Sequence, residues 1–287
     1  MMRVLAVGPA ATVQDLGRPG WFHSGVGVAG AADRGALRLA NRLVGNPEDA
    51  AGIEVLLGGL VVRAEQHHTV AVTGASAPAT VDGVPVGHAS VLELAPGATL
   101  RLGLASHGLR SYVAVRGGVD VAPVLGSRSR DTLAGIGPEP LRAGDRLPIG
   151  PPPRTLPLVD LAPVAPPPDP VTVRALPGPR ADWFTDPDAL FTGLWSVTTD
   201  TDRVGARLAR VAGPPLRRAV AGELRTEGMA SGSVQVPPSG EPVVFLADHP
   251  ITGGYPVVAV VLDADIDLVA QIRPGGRLRF RRADRSA

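Results

Sequence analysis

Residues Pro148–Pro170 read PIGPPPRTLPLVDLAPVAPPPDP, and this stretch decides how the chain is organised. Each proline fixes φ and removes a backbone donor, so the segment is extended and semi-rigid. It divides the 287 residues into halves of similar size, each long enough to bury a core. The expected organisation is an N-terminal half over residues 1–150, a Pro-rich linker over 151–170 and a C-terminal half over 171–287. A short echo supports two related halves. Arg142-Ala143-Gly144-Asp145-Arg146-Leu147 comes near the end of the first, and Arg273-Pro274-Gly275-Gly276-Arg277-Leu278 near the end of the second. Each reads as a tight turn feeding a final strand, although a common turn written twice gives the same text.

On either side of that segment, short apolar or alternating runs are bounded by Gly, Pro or Asp, the pattern of strands. They predict strands over 60–64, 69–73, 91–94, 99–104, 111–116, 171–175, 195–198, 233–236, 243–247 and 257–262. Asp82-Gly83 and Pro96-Gly97 read as turns. Three helices interrupt them, over 33–44, 182–191 and 265–272. The first is the clearest: Ala36, Leu37, Ala40, Leu43 and Val44 form one stripe, Asp33 can cap its start and Gly45 can stop it. With 36 Gly, 30 Pro and only 3% aromatics, the fold class is mainly β with a few short helices.

Composition excludes several chemistries. There is no cysteine, and every basic residue is arginine. Disulfides, thiolate nucleophiles, lysine Schiff bases, a P-loop lysine and a biotinyl-lysine are therefore absent from these residues. The net charge of +1 gives no broad basic field for nucleic acid or anionic lipid. The basic run at 277–282 reads as a solvated strand edge. The histidines His23, His67, His68, His88, His107 and His249 show no metal-ligand spacing, so no metal is expected. No signal peptide or bilayer-length apolar run is evident, and the expected address is the cytoplasm.

Five polar blocks are the places to look for chemistry. Thr12–Gly20 packs Gln14, Asp15 and Arg18 into a Gly/Pro-rich loop, which can converge on a small ligand or pin a turn. Gly25–Asp33 runs into the first helix, but no βαβ alternation follows, so it reads as a plain loop. Tyr112–Asp131 ends a strand at Arg116, continues through Gly117-Gly118 and carries Ser127-Arg128-Ser129-Arg130. Its guanidiniums suit a bidentate grip on a carboxylate or phosphate, or else lie exposed on a loop. Asp200–Leu208 alternates acid and base, and Asp248–Pro256 places Asp248 and Tyr255 beside Gly253-Gly254. The candidate ligand-binding residues are Gln14, Arg18, Arg116, Arg128, Arg203 and Tyr255. Asp15, Asp202 and Asp248 are the candidates for placing water or a proton.

Taken in order, the segments TVQDLGRPG, ALRLANRLVGNPEDAAGIEV, SYVAVRGGVDVAPVLGSRS, LRAGDRL, TDRVGARL, EGMASGSVQVPPSGEPVVFLAD and TGGYPVVA closely resemble the allophanate-hydrolase-subunit-2, or carboxyltransferase-domain, family. The resemblance covers nearly the whole chain. It implies two cyclophilin-like β-barrel units. It also implies a place in an ATP-dependent, multi-subunit 5-oxoprolinase that opens 5-oxoproline to glutamate. The implied partners are the B subunit of that enzyme, which is KipI-like and of the allophanate-hydrolase-subunit-1 type, and its A subunit. ATP is then bound by the complex at a site not located in this chain, and no biotin is held covalently. Two other activities remain open within the family: a biotin-dependent carboxyltransferase acting on a urea-like amide, and a regulatory antagonist of a kinase inhibitor. The sequence departs from the expected pattern at Ala32 and Arg34, at Val204 and Ala206, and at His249-Pro250-Ile251. These changes bear on the substrate more than on the fold.

Overall fold

The computed structural model describes residues 1–284, which fall into two compact units. Unit 1 comprises residues 1–18, 29–131 and 135–166; unit 2 comprises 19–28, 132–134 and the chain from 167 onward. The chain thus changes unit more often than a single linker requires.

Unit 1 contains β1 (Met2–Val7), β2 (Ala10–Gln14), α1 (Arg34–Leu43), β3 (Gly52–Leu56), β4 (Leu60–Ala64), β5 (His68–Ser76) and β6 (Ala79–Val81). It continues with β7 (Val84–Val86), β8 (Val91–Leu94), β9 (Thr99–Leu102), β10 (His107–Val115) and β11 (Arg146–Leu147). Six strands form one sheet in the order β11-β1-β4-β9-β6-β7, and five form another in the order β2-β3-β10-β5-β8. One core joins them: Val4, Val62 and Leu100 from the first sheet cluster with Val13, Ile53, Val72 and Val113 from the second. The opposite face of the five-stranded sheet presents Ala71 and Ala114, which pack with Ala40, Leu43 and Val44 of α1 and its end. Alternation explains this division, with valines turned into the core and alanines turned to the helix, where a small side chain lets the helix approach.

Helix α1 starts as the sequence predicts. Asp33 is extended at the N-cap, and its Oδ1 accepts the Ala36 N–H at 2.8 Å. Gly45, with φ of 71°, takes the left-handed conformation just past the C-cap. A bulge on β10 opposite β5 falls at Gly74. Its φ is 83°, and a Cβ there would lie 2.4 Å from the Arg110 carbonyl oxygen, so only glycine fits.

Unit 2 contains β12 (Val171–Pro177), α2 (Ala189–Thr192), β13 (Leu194–Val197), β14 (Gly205–Ala212), β15 (Glu227–Gly228), β16 (Ser233–Gln235), β17 (Val243–Phe245), β18 (Thr252–Gly253), β19 (Val257–Val261), α3 (Asp263–Ala270) and β20 (Arg277–Arg282). Seven strands close a barrel in the order β12-β19-β16-β17-β14-β13-β20, while β15 and β18 pair separately. Strand β20 shows the barrel pattern: Leu278 and Phe280 are buried, and Arg277, Arg279 and Arg281 are exposed. The mainly β expectation holds, with three α-helices among the described residues.

The predicted helix over 182–191 breaks into a 3-10 turn at Ala181–Trp183 and the short α2. Pro187 lies between them and cannot donate into a continuous helix. The Pro-rich stretch expected as a linker is shared out: residues to Pro166 pack with unit 1, and those from Pro167 go with unit 2. Hydrogen bonding accounts for this. Val91 N–H donates to the Asp160 carbonyl at 2.8 Å and Ala162 N–H to the Ala89 carbonyl at 2.9 Å. No helix among the described residues is long and apolar enough to cross a membrane.

Candidate functional site

In unit 1, strand β2 absorbs Thr12, Val13 and Gln14, and the loop begins only at Asp15. Asp15 Oδ1 accepts the Gly17 N–H at 2.7 Å and the hydroxyls of Ser127 and Ser129 at 2.6 and 2.5 Å. Its Oδ2 accepts the Arg128 N–H at 2.5 Å. An ionised carboxylate offers about four lone-pair sites, two on each oxygen; three of these donors crowd Oδ1 and one sits on Oδ2. Asp15 is therefore an anchor for the loop 127–129. Arg18 is buried and serves the same loop, donating to the carbonyls of Ser129 and Val124. Gln14 Nε2 donates to the Thr12 hydroxyl and the Arg130 carbonyl, both at 3.0 Å. Its Oε1 is buried without a partner.

The loop so anchored presents Arg128 to a cleft of about 330 Å³ in unit 1. The cleft is lined by Asn46, Gly117, Gly118, Asp120, Arg128 and Pro151, with further small residues around them. Arg128 Nη2 donates to Asp120 Oδ1 at 2.7 Å; the two side chains are 36% and 50% exposed. Arg128 Nε is buried and lacks a partner. The floor is fixed from behind. Asn46 Oδ1 accepts the Gly117 N–H at 2.8 Å, and Asn46 Nδ2 donates to Asn41 Oδ1 and the Val115 carbonyl. Arg116 stands behind the wall, donating to the carbonyls of Val44, Pro153 and Thr155. It holds the proline segment against unit 1, a structural use of the guanidinium that the sequence reading assigned to a ligand.

In unit 2, Asp248 repeats the pattern of Asp15. Its Oδ2 accepts from Arg203 Nε at 2.8 Å, the Thr132 N–H at 2.8 Å and the Thr132 hydroxyl at 2.6 Å; its Oδ1 accepts from Arg203 Nη2 at 2.9 Å. The Asp248 side chain is 0% exposed. Arg203 and Asp248 thus form a buried structural pair. Asp202 Oδ1 accepts the N–H groups of Val204 and Gly205 at 2.8 and 3.1 Å, which closes the turn into β14. Tyr255 is partly exposed and carries Arg218 over its ring at 5.7 Å. Its carbonyl accepts from Gln235 Nε2.

A polar cluster that the motif reading passed over lies inside unit 1. Tyr112 on β10 is directly opposite Glu54 on β3. Its hydroxyl donates to Glu54 Oε2 at 2.7 Å and accepts the Asp33 N–H at 2.8 Å. Glu54 also accepts the Ala32 N–H and lies 3.7 Å from Arg110 Nε. Burial, reinforced by the negative charges of Glu54 and Asp33, pushes the Tyr112 phenol well above its ordinary range. The phenol therefore stays protonated and donates. The cluster fixes the turn before α1. Its sequence signal was an acidic residue within the apolar strand GIEVL. No group of three His, Cys, Asp or Glu among the described residues is placed to hold a metal.

The family model for the carboxyltransferase domain, subdomain A and B, matches residues 24–282. The C subunit of the 5-oxoprolinase of Escherichia coli K12 is 40% identical over 285 residues, covering 98% of this chain and 90% of that protein. The crystal structure of TTHA0988 is similar with a TM-score of 0.87 and 36% identity; 98% of this chain is covered, and it spans 55% of that longer chain. The crystal structure of the K. lactis urea amidolyase is similar with a TM-score of 0.91 and 28% identity, over 99% of this chain and 19% of that one.

Proposed function

The chain belongs to the family of carboxyltransferase domains with subdomains A and B, and from that membership we propose that it serves as the C subunit of a multi-subunit 5-oxoprolinase. The observation that carries this reading is the 40% identity to the E. coli C subunit, spread over 98% of this chain and 90% of its relative. A likeness confined to one motif or one unit would have carried much less. The reaction opens a stable lactam to glutamate, and it works only when the partner A and B subunits are present.

ATP, bound by the complex, supplies the activation that makes the lactam carbonyl reactive. The residues of this chain do not fit a triphosphate at the Gly-rich run before α1, where glycines precede a helix start. There Asp33 already caps the helix and sets a carboxylate where an anion would sit. Gly30 lies against the backbone of Leu16 and Gly17, where a Cβ would clash at 2.8 Å. The glycine serves internal packing. In this reading ATP binds elsewhere in the complex or across a subunit interface, and the task of this chain is to bind and orient the lactam.

The K. lactis likeness keeps one second reading, carboxyl transfer to a urea-like amide. That reading needs a biotin carried on another polypeptide, because these residues contain no lysine. The test is to purify the chain alone and mixed with the A and B subunits, then to measure glutamate release and 5-oxoproline-dependent ATP hydrolysis. Turnover is expected only from the mixture, and added avidin leaves it unchanged. Turnover by the chain alone overturns the dependence on partners, and loss of turnover with avidin favours carboxyl transfer.

A further inference from the structure

We infer that the unit 1 cleft is a binding site for the amino-acid end of a small lactam acid, with Arg128 taking the carboxylate and Asp120 taking the adjacent N–H. This inference deepens the reading of the chain as part of a 5-oxoprolinase and rests on it for the identity of the ligand.

Size is the first argument. A volume of about 330 Å³ lies at the lower end of small-molecule sites, roughly 300–1,000 Å³, which suits a ligand of a single residue. Charge is the second. Arg128 and Asp120 are the only charged residues of the lining, one of each sign. A ligand that offers a carboxylate beside an N–H donor matches both. The lactam acid does so, and so does its ring-opened product, whose ammonium replaces the lactam N–H.

The third argument is that the two groups are free to change partners. They hold each other through one hydrogen bond at 2.7 Å, and both side chains are substantially exposed. An exposed ion pair is weakly held, so a ligand can insert between its members at small cost. Arg128 also keeps a buried Nε–H with no acceptor, and buried donors are almost always satisfied. A carboxylate in the cleft supplies acceptors that the folded chain does not.

Preorganisation is the fourth. The backbone N–H of Arg128 is bound by the carboxylate of Asp15. The Asp120 N–H donates to the Pro148 carbonyl at 2.8 Å. Gly117 and Gly118 have φ of 99° and 71°; a Cβ on Gly117 would lie 2.2 Å from the Gly150 carbonyl oxygen, so only glycine shapes that floor. Hydrogen bonds within the chain thus hold the supports of the cleft, and its two charged side chains remain available. Such an arrangement is expected where ligand geometry matters.

The experiment uses the reconstituted complex, with 5-oxoproline and ATP varied separately, and ligand-observed NMR on the isolated chain. Arg128→Gln is expected to raise the KM for 5-oxoproline about tenfold or more, the size of a lost charge-assisted hydrogen bond, and to leave the KM for ATP within about twofold. Arg128→Lys restores part of the loss, since it keeps the charge without the planar fork. Asp120→Asn gives a smaller rise, and it weakens 5-oxoproline binding more than binding of the N-methyl lactam, which has no N–H to offer. 2-Pyrrolidinone, which lacks the carboxylate, is expected to bind the wild type and Arg128→Gln equally weakly. Arg279→Gln, on the exposed face of β20, serves as the unchanged control. Should Arg128→Gln fail to fold, Arg128→Lys and Asp120→Asn carry the test. Folded variants with unchanged KM and unchanged NMR binding overturn the inference. A wild-type complex that does not turn over 5-oxoproline overturns the functional reading instead, and NMR binding then decides the cleft on its own.

Discussion

Replacing Asp15 by Asn preserves shape and removes charge, which isolates the work of the four donors around it. Oδ1 faces the Gly17 N–H and two hydroxyls, whereas Oδ2 faces the Arg128 N–H alone. In either orientation of the new amide, its NH2 meets a backbone N–H that cannot turn away. The milder choice opposes Arg128. Leaving that buried donor unsatisfied costs about 1–3 kcal/mol. The three remaining bonds fall from charge-assisted to neutral strength, which adds a further loss of about 1–2 kcal/mol after relaxation of the hydroxyls. A total of about 2–5 kcal/mol corresponds to a drop of about 4–20 °C in melting temperature for a unit of this size. The assay is a thermal melt followed by urea unfolding of Asp15→Asn against wild type. In the complex, the KM for 5-oxoproline should also rise below the melting range, because Arg128 loses its backbone anchor. A melting temperature within about 2 °C of wild type would refute the argument that Asp15 is a loop anchor.

The buried pair in unit 2 should behave similarly. Arg203→Met is expected to destabilise by about 3–5 kcal/mol because it strands a buried carboxylate, and adding Asp248→Leu should recover part of that in a double-mutant cycle; strict additivity of the two losses would count against the pair. Gly74→Ala is expected to cost at least about 2 kcal/mol in urea unfolding, since the φ of 83° and the Arg110 carbonyl leave no place for a methyl group; an unchanged midpoint would contradict the bulge. Acid sensitivity should begin near pH 6.5. Burial lowers the pKa of His68 and of His88 in the folded chain, so the unfolded chain takes up protons first, and stability that is full above about pH 6.5 is lost as pH falls towards the depressed folded values. The melting temperature should fall between pH 7 and pH 5, and His68→Asn with His88→Gln should flatten that slope.

The legible part of the fold was the part governed by local periodicity. Strands β4 and β8 have the bounds that the apolar runs predict, and α1 follows from its stripe, its aspartate cap and Gly45. What stayed hidden was structure made by pairing. Strand β2 reads as a loop in the sequence because Thr12 and Gln14 break the apolar alternation. Both are buried all the same, with the Gln14 amide N–H groups donating to the Thr12 hydroxyl and the Arg130 carbonyl. Strand β14 reads as a charged junction, since GARLARVA sets Arg207 and Arg210 on the outer face of a barrel that only the closed sheet reveals. The division of the proline segment between units depends on carbonyls gripped by Arg116, and no sequence pattern encodes that grip.

The site shows the same limit in a sharper form. Residue type and loop context marked Asp15, Asp248 and Arg128 as chemistry-bearing, and they did not distinguish an anchoring carboxylate from a working one. That difference is the number of donors each carboxylate already accepts, and those donors come from far along the chain. Ser127 and Ser129 lie 112 and 114 residues from Asp15, and Thr132 lies 116 residues from Asp248. A carboxylate with four donors is held in place at both oxygens. Asp120, by contrast, shares one side-chain bond with a half-free guanidinium and stays open to solvent. Its neighbours on both sides stand out in the sequence and Asp120 does not, because a lone aspartate after Gly117-Gly118 has no spacing signature. Capacity to accept a new partner, and not acidity or position in a motif, makes Asp120 the carboxylate of unit 1 best placed to meet a ligand.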